Sequence, residues 1–214
     1  MKNNKGVFQM NVSKWFKKKS MSIRHSIVKL IAPKLYVQAT YLENIVNKTP
    51  RPMILFAKRY FKNPLIGVEI GVAEGNNALS ILRELPIKKL YLIDPYIDYI
   101  EDGRLITKHK DSFSIAVEKL SKYEQAYFIK KTSEDAVKDI KEPLDFVYID
   151  GNHQYEYIKK DITLYYPLVK QGGILGGHDY PTIPGVARAV DEFVEQHGRL
   201  GFYTVFPDWW VLRE

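Results

Sequence analysis

Residues 66–80, IGVEIGVAEGNNALS, decide the fold that we predict for this chain. The stretch opens with an apolar run that ends at Gly71, and after Gly75 apolar residues recur at helical spacing. This order predicts a strand, a tight glycine turn and the start of a helix. Such a turn directs unpaired backbone N–H groups and the positive end of the helix dipole at one spot outside the sheet. We therefore expect a nucleotide-like ligand to bind there.

The glycine spacing excludes two common nucleotide motifs. A dinucleotide fingerprint would need glycines where the chain has Ala73 and Asn76, and no Lys-Ser/Thr pair follows Gly75 as in a P-loop. The pattern Glu-x-Gly-x-x-x-Gly resembles the first motif of class I S-adenosylmethionine (SAM)-dependent methyltransferases; another α/β protein with a glycine turn is the alternative. The resemblance implies that the turn wraps the methionine part of SAM and that the strand acid holds the turn and the ligand's amino group. It assigns cofactor binding to Glu69, Gly71, Gly75 and Asn76.

Composition sets the broad class of the protein. A chain of 214 residues fits one domain with appendages, and the absence of cysteine excludes disulfides, thiolate metal sites and cysteine nucleophiles. No apolar run approaches the roughly 20 residues of a membrane span, and no signal peptide follows the basic start, so we expect a cytoplasmic protein. The net charge of +7 comes from residues 1–35, which carry nine Lys/Arg and no acid. The charge therefore gives no reason to expect nucleic-acid binding by the rest of the chain.

The N-terminal part is predicted to be a separate element. We assign residues 1–52 to a basic helical extension and residues 53–214 to the methyltransferase domain. Residues 13–36 interleave basic residues with Trp, Phe and aliphatic residues, as a helix lying on an anionic membrane surface does. The alternative is a helical cap that packs on the domain, covers the substrate cleft or mediates a homodimer.

An acid follows the second predicted strand, residues 89–93. Asp94 lies about 20 residues past the glycine turn, where it can accept hydrogen bonds from both hydroxyls of a ribose. The resemblance implies this role toward SAM. The alternative is a turn or helix cap, which Pro95 favours.

Polar residues also follow the third predicted strand, residues 126–129. The sequence Thr-Ser-Glu-Asp at 132–135 is typical of a helix start. The resemblance implies that Ser133 and Glu134 flank the adenine ring of SAM. A plain helix N-cap is the alternative for either residue.

Two further predicted strands, residues 144–149 and 174–175, are each followed by an Asp and a His. In open α/β sheets the carboxyl ends of the strands are where ligands bind. The other three histidines are scattered, and we interpret them as surface or structural residues. The four side chains expected at this edge are Asp150, His153, His178 and Asp179.

The whole pattern predicts an α/β fold, a doubly wound Rossmann-like seven-stranded sheet. The chain ends in two short predicted strands, residues 202–206 and 209–212, as an antiparallel hairpin would. Class I methyltransferases finish their seven-stranded sheet in this way. The resemblance runs from about residue 53 to residue 214.

Three segments carry a closer resemblance, to the family 24 methyltransferases that include macrocin-type sugar O-methyltransferases: DFVYIDGNHQYEYIKKD, GGILGGHDY and GVARAVDEF. Catechol and caffeoyl-CoA O-methyltransferases are more distantly similar. The resemblance implies that Asp150, His178 and Asp179 hold a cation such as Mg²⁺ and that His153 is the general base. His178 departs from the pattern, since Mg²⁺ prefers oxygen ligands. An imidazole there selects Mn²⁺, Fe²⁺ or Zn²⁺, or means that no metal binds.

These residues predict a SAM-dependent O-methyltransferase of a small hydroxylated acceptor, a sugar or a glycan-linked group. Catalysis would consist mainly of orienting the acceptor oxygen, with His153 or His178 as the base and Asp150 beside it. A nucleic-acid methyltransferase is one alternative, disfavoured because Asp150-Gly151-Asn152-His153 replaces the Asn/Asp/Ser-Pro-Pro-Tyr/Phe motif of amino-methylating enzymes. An NAD-dependent oxidoreductase and a non-catalytic SAM-fold module are the other two.

Overall fold

The structure is a computed structural model that describes residues 49–101, 103–106, 111–197 and 201–214. The predictions for residues 1–48, including the amphipathic segment 13–36, lie outside the described residues. Residues Pro50–Glu214 form one compact unit. The boundary at residues 52 and 53 stays a prediction.

A seven-stranded sheet in the order β5-β2-β1-β6-β7-β9-β8 forms the centre of this unit. Strands β1, β2, β5, β6 and β7 pair in parallel, and β9 and β8 join the edge in antiparallel orientation. The seven strands are β1 Leu65–Ile70, β2 Ile87–Ile93, β5 Ala126–Ile129, β6 Leu144–Ile149, β7 Val169–Gly177, β8 Phe202–Val205 and β9 Asp208–Leu212. The predicted α/β doubly wound sheet with a C-terminal antiparallel hairpin is confirmed.

Helices cover both faces of the sheet. They are α1 Pro52–Tyr60, α2 Asn76–Glu84, α3 Ser112–Leu120, α4 Ser133–Ala136, α5 Tyr155–Tyr165 and α6 Pro184–Gln196, with short 3₁₀ turns at Val137–Asp139 and Tyr166–Leu168. Residues of the central strands alternate between two apolar cores because successive side chains point to opposite faces. Val68 and Val147 pack with α5 and α6, whereas Leu92 and Phe146 pack with α1 and α2. The site at the strand ends therefore rests on a sheet that is buried on both faces.

The structure corrects the prediction between α5 and β7. The sequence predicts a helix over 155–169 and a glycine turn before a two-residue strand. The helix ends at Tyr165, and Val169 already pairs with Leu144. Gly172 and Gly173 lie inside β7 as an irregularity that exchanges backbone hydrogen bonds with the C-terminal strand segment at Arg213. The predicted turn glycines thus accommodate a neighbouring strand.

A small hairpin was also missed. Strands β3 Tyr99–Glu101 and β4 Arg104–Ile106 pair in antiparallel orientation within the connection after β2. None of the helices in the described ranges is both long and apolar enough to cross a lipid bilayer.

Candidate active site

The strand order reverses between β1 and β6, because the chain runs from β1 to β2 on one side and returns to β6 on the other. The loops that follow these two strands diverge, which opens a crevice at the carboxyl edge of the sheet. A pocket of about 210 Å³ lies there. Its polar lining includes Gly71, Asp94, Ser133, Asn152 and Asp161, and the backbone of Gly151 contributes to the wall.

The predicted glycine turn leads from β1 into α2. Gly71 has φ +88° and Gly75, the N-cap of α2, has φ +75°, both in the left-handed region that favours glycine. A Cβ added at Gly71 would overlap the carbonyl oxygen of Asp150. The backbone of the loop after β6 therefore requires a glycine here, and the role of Gly71 toward a cofactor stays a prediction. Gly75 packs against Leu120 of α3.

Asp94 both lines the pocket and braces the turn. Its side chain is almost fully buried, and Oδ2 accepts hydrogen bonds from the backbone N–H groups of Val72 at 3.1 Å and Ala73 at 3.0 Å. Oδ1 accepts a third hydrogen bond from the N–H of Tyr96 at 2.8 Å. The predicted turn-capping alternative thus describes real contacts of Asp94. Its role toward a ribose stays a prediction.

Glu69 is fully buried behind the turn. Its Oε1 accepts a 2.9 Å hydrogen bond from the Asn77 amide, and Oε2 has no hydrogen-bond partner among the described residues. Asn76, which the resemblance assigns to cofactor binding, is exposed, and its Oδ1 accepts a hydrogen bond from Lys119 Nζ at 2.6 Å. Its role toward a cofactor stays a prediction. Asn77 was the residue missed, although its spacing from Ile81 places it on the buried stripe of α2.

The burial of Glu69 makes stability depend on pH. Burial raises the pKa of Glu69 to about 8, so the folded state holds the proton more tightly than the unfolded state. Stability contributed by the protonated acid is therefore lost as pH rises from the ordinary glutamate range through about 8, by about 1.4 kcal/mol per pKa unit. We expect Glu69→Gln, measured by urea unfolding, to remove much of this decline. Exposed Glu124→Gln should unfold like the wild type, and an unchanged decline in Glu69→Gln would contradict the expectation.

The residues after β5 separate into one pocket residue and one surface residue. Thr132 caps α4, its hydroxyl accepting a hydrogen bond from the N–H of Asp135. Ser133 lines the pocket and its hydroxyl donates to the carboxylate of Asp161. Glu134 is exposed and pairs with Lys160 at 2.9 Å, away from the pocket lining.

Four side chains meet at the ends of β6 and β7. Asp179 lies between two imidazoles: His153 Nε2 is 2.9 Å from Oδ2, and His178 Nδ1 is 3.1 Å from Oδ1. Asp150 Oδ1 lies 3.8 Å from His153 Nε2 and 3.9 Å from His178 Nδ1. Burial alone would raise the pKa of Asp179, but the two imidazoles lower it below its ordinary value. The four residues that the sequence placed at this edge therefore form one charged cluster.

The cluster has a geometry that a cation could use. One donor atom each from Asp150, His153 and Asp179 lie within 4.8 Å of one another. The predicted set named His178 in place of His153. Asp179 has φ +68°, a backbone region that Asp tolerates better than most residues, and this conformation orients it between the two histidines.

Arg51 belongs to this site and was not predicted. Its Nη1 donates to Asp150 Oδ2 at 2.7 Å and to the Tyr148 hydroxyl at 3.1 Å. Tyr148 donates in turn to Asp208 Oδ1 at 2.8 Å, and Asp208 Oδ2 accepts from the N–H of Met53 at 3.0 Å. This buried chain of contacts anchors Asp150. The predicted boundary placed Arg51 in the extension, and nothing in Thr-Pro-Arg-Pro indicates a partner far along the chain.

Comparison with known proteins agrees with this architecture. An uncharacterized protein of Acanthamoeba polyphaga mimivirus is 30% identical over 146 residues, which are 64% of this chain and 63% of the viral protein. The match thus spans less than two thirds of that protein's length.

Solved structures share the fold. An rRNA methylase from Streptococcus thermophilus has a TM-score of 0.56 at 17% identity, covering 75% of this chain and 94% of its own. The O-methyltransferase NovP has a TM-score of 0.56 at 19% identity, covering 75% and 79%. The methyltransferase MycE of the mycinamycin biosynthetic pathway, in complex with Mg and S-adenosylhomocysteine (SAH), has a TM-score of 0.51 at 16% identity, covering 74% and 48%.

A family model described as a methyltransferase domain matches residues 68–180, more than half of the chain. The match begins in β1, before the glycine turn, and ends just after Asp179, so it contains both the pocket and the charged cluster. The chain belongs to the family 24 methyltransferases, which are SAM-dependent methyltransferases of the class I fold.

Proposed function

We propose that the enzyme methylates a hydroxyl group of a small acceptor, a sugar or a glycan-linked group, with His153 as the general base. The observation that carries the proposal is the cluster of two carboxylates and two imidazoles beside the cofactor pocket. Asp150 and His153 flank Gly151 and Asn152, which line that pocket. A hydroxyl acceptor placed there would be within reach of both a base and the methyl donor.

The cofactor is proposed to lie across the crevice. Its ribose would approach Asp94, and its methionine part would lie toward the turn at Gly71. The sulfonium would then face the loop after β6, because Gly71 and Asp150 are in direct backbone contact. Ser133, which follows β5 and also lines the pocket, would lie beside the nucleobase.

Methyl transfer from a sulfonium is an in-line displacement. The C–S bond breaks as the C–O bond forms, the acceptor hydroxyl gives its proton to His153, and SAH leaves as a neutral thioether. Imidazole suits this role because its ordinary titration lies near neutral pH. Asp179 at 2.9 Å and Asp150 at 3.8 Å from Nε2 would stabilise the imidazolium that forms. His178 would hold the second oxygen of Asp179 and thereby orient it.

The residues fit a divalent cation. Asp150, His153 and Asp179 offer two carboxylates and one imidazole, a mixed set that suits Mn²⁺, Fe²⁺ or Zn²⁺ better than Mg²⁺. With a cation bound, His153 would be a ligand and the role of base would pass to His178. A bound cation would lower the pKa of the acceptor hydroxyl and hold a vicinal diol. One Asp150 oxygen already accepts from Arg51, so this guanidinium competes with a cation for the same carboxylate.

This competition predicts the effect of Arg51 on metal affinity. A unit charge about 5 Å away contributes about 3 kcal/mol at an effective dielectric of about 20. Part of this would be offset by a less rigid Asp150, so we expect Arg51→Met to bind Mn²⁺ about tenfold more tightly, measured by electron paramagnetic resonance. Arg59→Met, an exposed change on α1, is the matched control. Equal affinity in wild type and Arg51→Met would contradict the prediction.

Formation of SAH from SAM tests the proposed reaction. Purified protein would be incubated with SAM and a panel of sugars, sugar nucleotides, catechols and RNA, with and without EDTA. Methylation of a hydroxyl on a small acceptor, located by mass spectrometry and NMR, is the expected result. Transfer to RNA or to a nitrogen, with none to hydroxyls, would overturn the proposal while leaving the enzyme a methyltransferase.

A further inference from the structure

Asp208 is a fully buried acid at the start of β9, outside the charged cluster described above. Three buried apolar residues, 209–211, follow it in the same strand. An ionised carboxylate in such surroundings is costly unless it is hydrogen-bonded and lies near a positive charge. The contacts of Asp208 identify that positive charge in a distant part of the chain.

The hydrogen bonds of Asp208 connect it to Arg51. Oδ2 accepts from the N–H of Met53 at 3.0 Å, and Oδ1 accepts from the hydroxyl of Tyr148 at 2.8 Å. Because the Tyr148 proton points to Asp208, the oxygen of the same hydroxyl accepts from Arg51 Nη1 at 3.1 Å. Hydrogen bonds in such a chain polarise one another. The charge of Asp208 therefore makes the Tyr148 oxygen a stronger acceptor for the guanidinium.

Arg51 in turn separates the two oxygens of Asp150. Its Nη1 donates to Asp150 Oδ2 at 2.7 Å. The other oxygen, Oδ1, lies 3.8 Å from His153 Nε2 and 3.9 Å from His178 Nδ1. One oxygen is thus held by the guanidinium, and the other faces the two imidazoles.

We infer that Asp208 is a positioning residue for methyl transfer. Acting through Tyr148, it fixes the guanidinium that directs Asp150 Oδ1 toward the two histidines. The part of the inference that concerns the reaction rests on the proposed role of Asp150 beside the base. The C-terminal hairpin thereby contributes to the charged cluster, although none of its side chains belongs to that cluster.

The guanidinium of Arg51 tests this positioning without any acceptor. In the full-length chain labelled with ¹⁵N-arginine, a guanidinium held at Nη1 rotates slowly and gives resolved Nη signals, which Arg51→Met would assign. Tyr148→Phe removes only the hydroxyl and should speed the rotation about tenfold or more, since hydrogen bonds to charged groups are worth a factor of about 10 to 100. Asp208→Asn should act in the same direction, because it removes the charge. Tyr91→Phe, which removes a strand hydroxyl bonded to Glu142, is the matched control.

A double-mutant cycle tests the effect on the reaction. Tyr148→Phe should lower kcat about tenfold, the usual worth of such a hydrogen bond, and leave the affinity for SAH at the wild-type value. In the Arg51→Met background the same change should have little effect on kcat, because the hydroxyl acts only through the guanidinium. A role in stability alone would lower kcat equally in both backgrounds.

Two results would overturn the inference: an equal loss of kcat in both backgrounds, or Arg51 signals that Tyr148→Phe leaves unchanged. If Asp208→Asn does not fold, Tyr148→Phe decides both measurements. Failure of the enzyme to methylate any hydroxyl would instead reject the proposed function. The Arg51 signals would still show whether Tyr148 fixes the guanidinium.

Discussion

Replacing His153 with alanine is expected to lower kcat for methyl transfer by about 100- to 10 000-fold, the usual contribution of a general base. The imidazole lies in the charged cluster, 2.9 Å from Asp179, and alanine would leave the acceptor proton without a nearby base. Binding of SAH should change little, because His153 is not among the residues that line the pocket proposed for the cofactor. Single-turnover kinetics with radiolabelled SAM would measure the transfer step directly.

Two histidine variants control this experiment. His197 lies at the end of α6, where its ring contacts the carbonyl of Phe193. The variant His197→Ala should therefore leave kcat unchanged. His178→Ala should reduce kcat less than His153→Ala, since it removes the residue that orients Asp179 and keeps the base. A larger loss of kcat in His178→Ala than in His153→Ala would assign the base to His178 and the orientation of Asp179 to His153. If kcat of His153→Ala stayed within a few-fold of the wild-type value, the assignment of His153 as the base would be wrong.

Asp94→Ala is expected to weaken SAM and SAH binding by more than about 100-fold. The change removes the proposed ribose acceptor and also leaves the backbone N–H groups of Val72, Ala73 and Tyr96 without their acceptor. The unsatisfied buried donor of Val72 alone costs about 1–3 kcal/mol, so the glycine turn should lose its bound conformation. Isothermal titration calorimetry with SAH would give the affinity.

The exposed acid in the same connection provides the control for Asp94. Asp98→Ala changes the same charge outside the buried turn and should bind SAH like the wild type. Circular dichroism and thermal unfolding of Asp94→Ala would separate a damaged turn from an unfolded chain. Micromolar binding of SAH by folded Asp94→Ala would contradict the assignment of Asp94 to the cofactor.

The parallel core of the sheet was predictable because each of its strands is a short apolar run followed by a polar or glycine-containing loop. Buried parallel strands produce this signal on their own, without reference to the rest of the chain. The boundary between α5 and β7 was not predictable in the same way. Gly172 and Gly173 resemble a turn locally, and only pairing with Arg213 shows that they continue the strand.

Residues of the candidate site likewise differ in whether the local sequence predicts them. Asp94, Asp150 and His178 could be placed from sequence because each follows directly after a strand end. Arg51 could not, since its partner Asp150 lies 99 positions further along the chain. The hydrogen bond between Asn77 and Glu69 was not predicted either, although the spacing of Asn77 from the buried stripe of α2 indicates that it faces the core. Residues that act across the fold leave little local pattern.

The backbone contact between Gly71 and Asp150 has a consequence for how new acceptor specificities could arise. The segment proposed to carry the methyl donor and the segment proposed to carry the acceptor's base touch without an intervening side chain. Donor and base are therefore expected to keep a constant separation when the surrounding loops change. Loops elsewhere around the pocket can be exchanged, lengthened or shortened to admit a different alcohol. The contact between Gly71 and Asp150 would meanwhile keep the distance between the methyl donor and the base. A variant that retained the contact between Gly71 and Asp150 and replaced only those loops would keep the methyl donor and the base in their present arrangement.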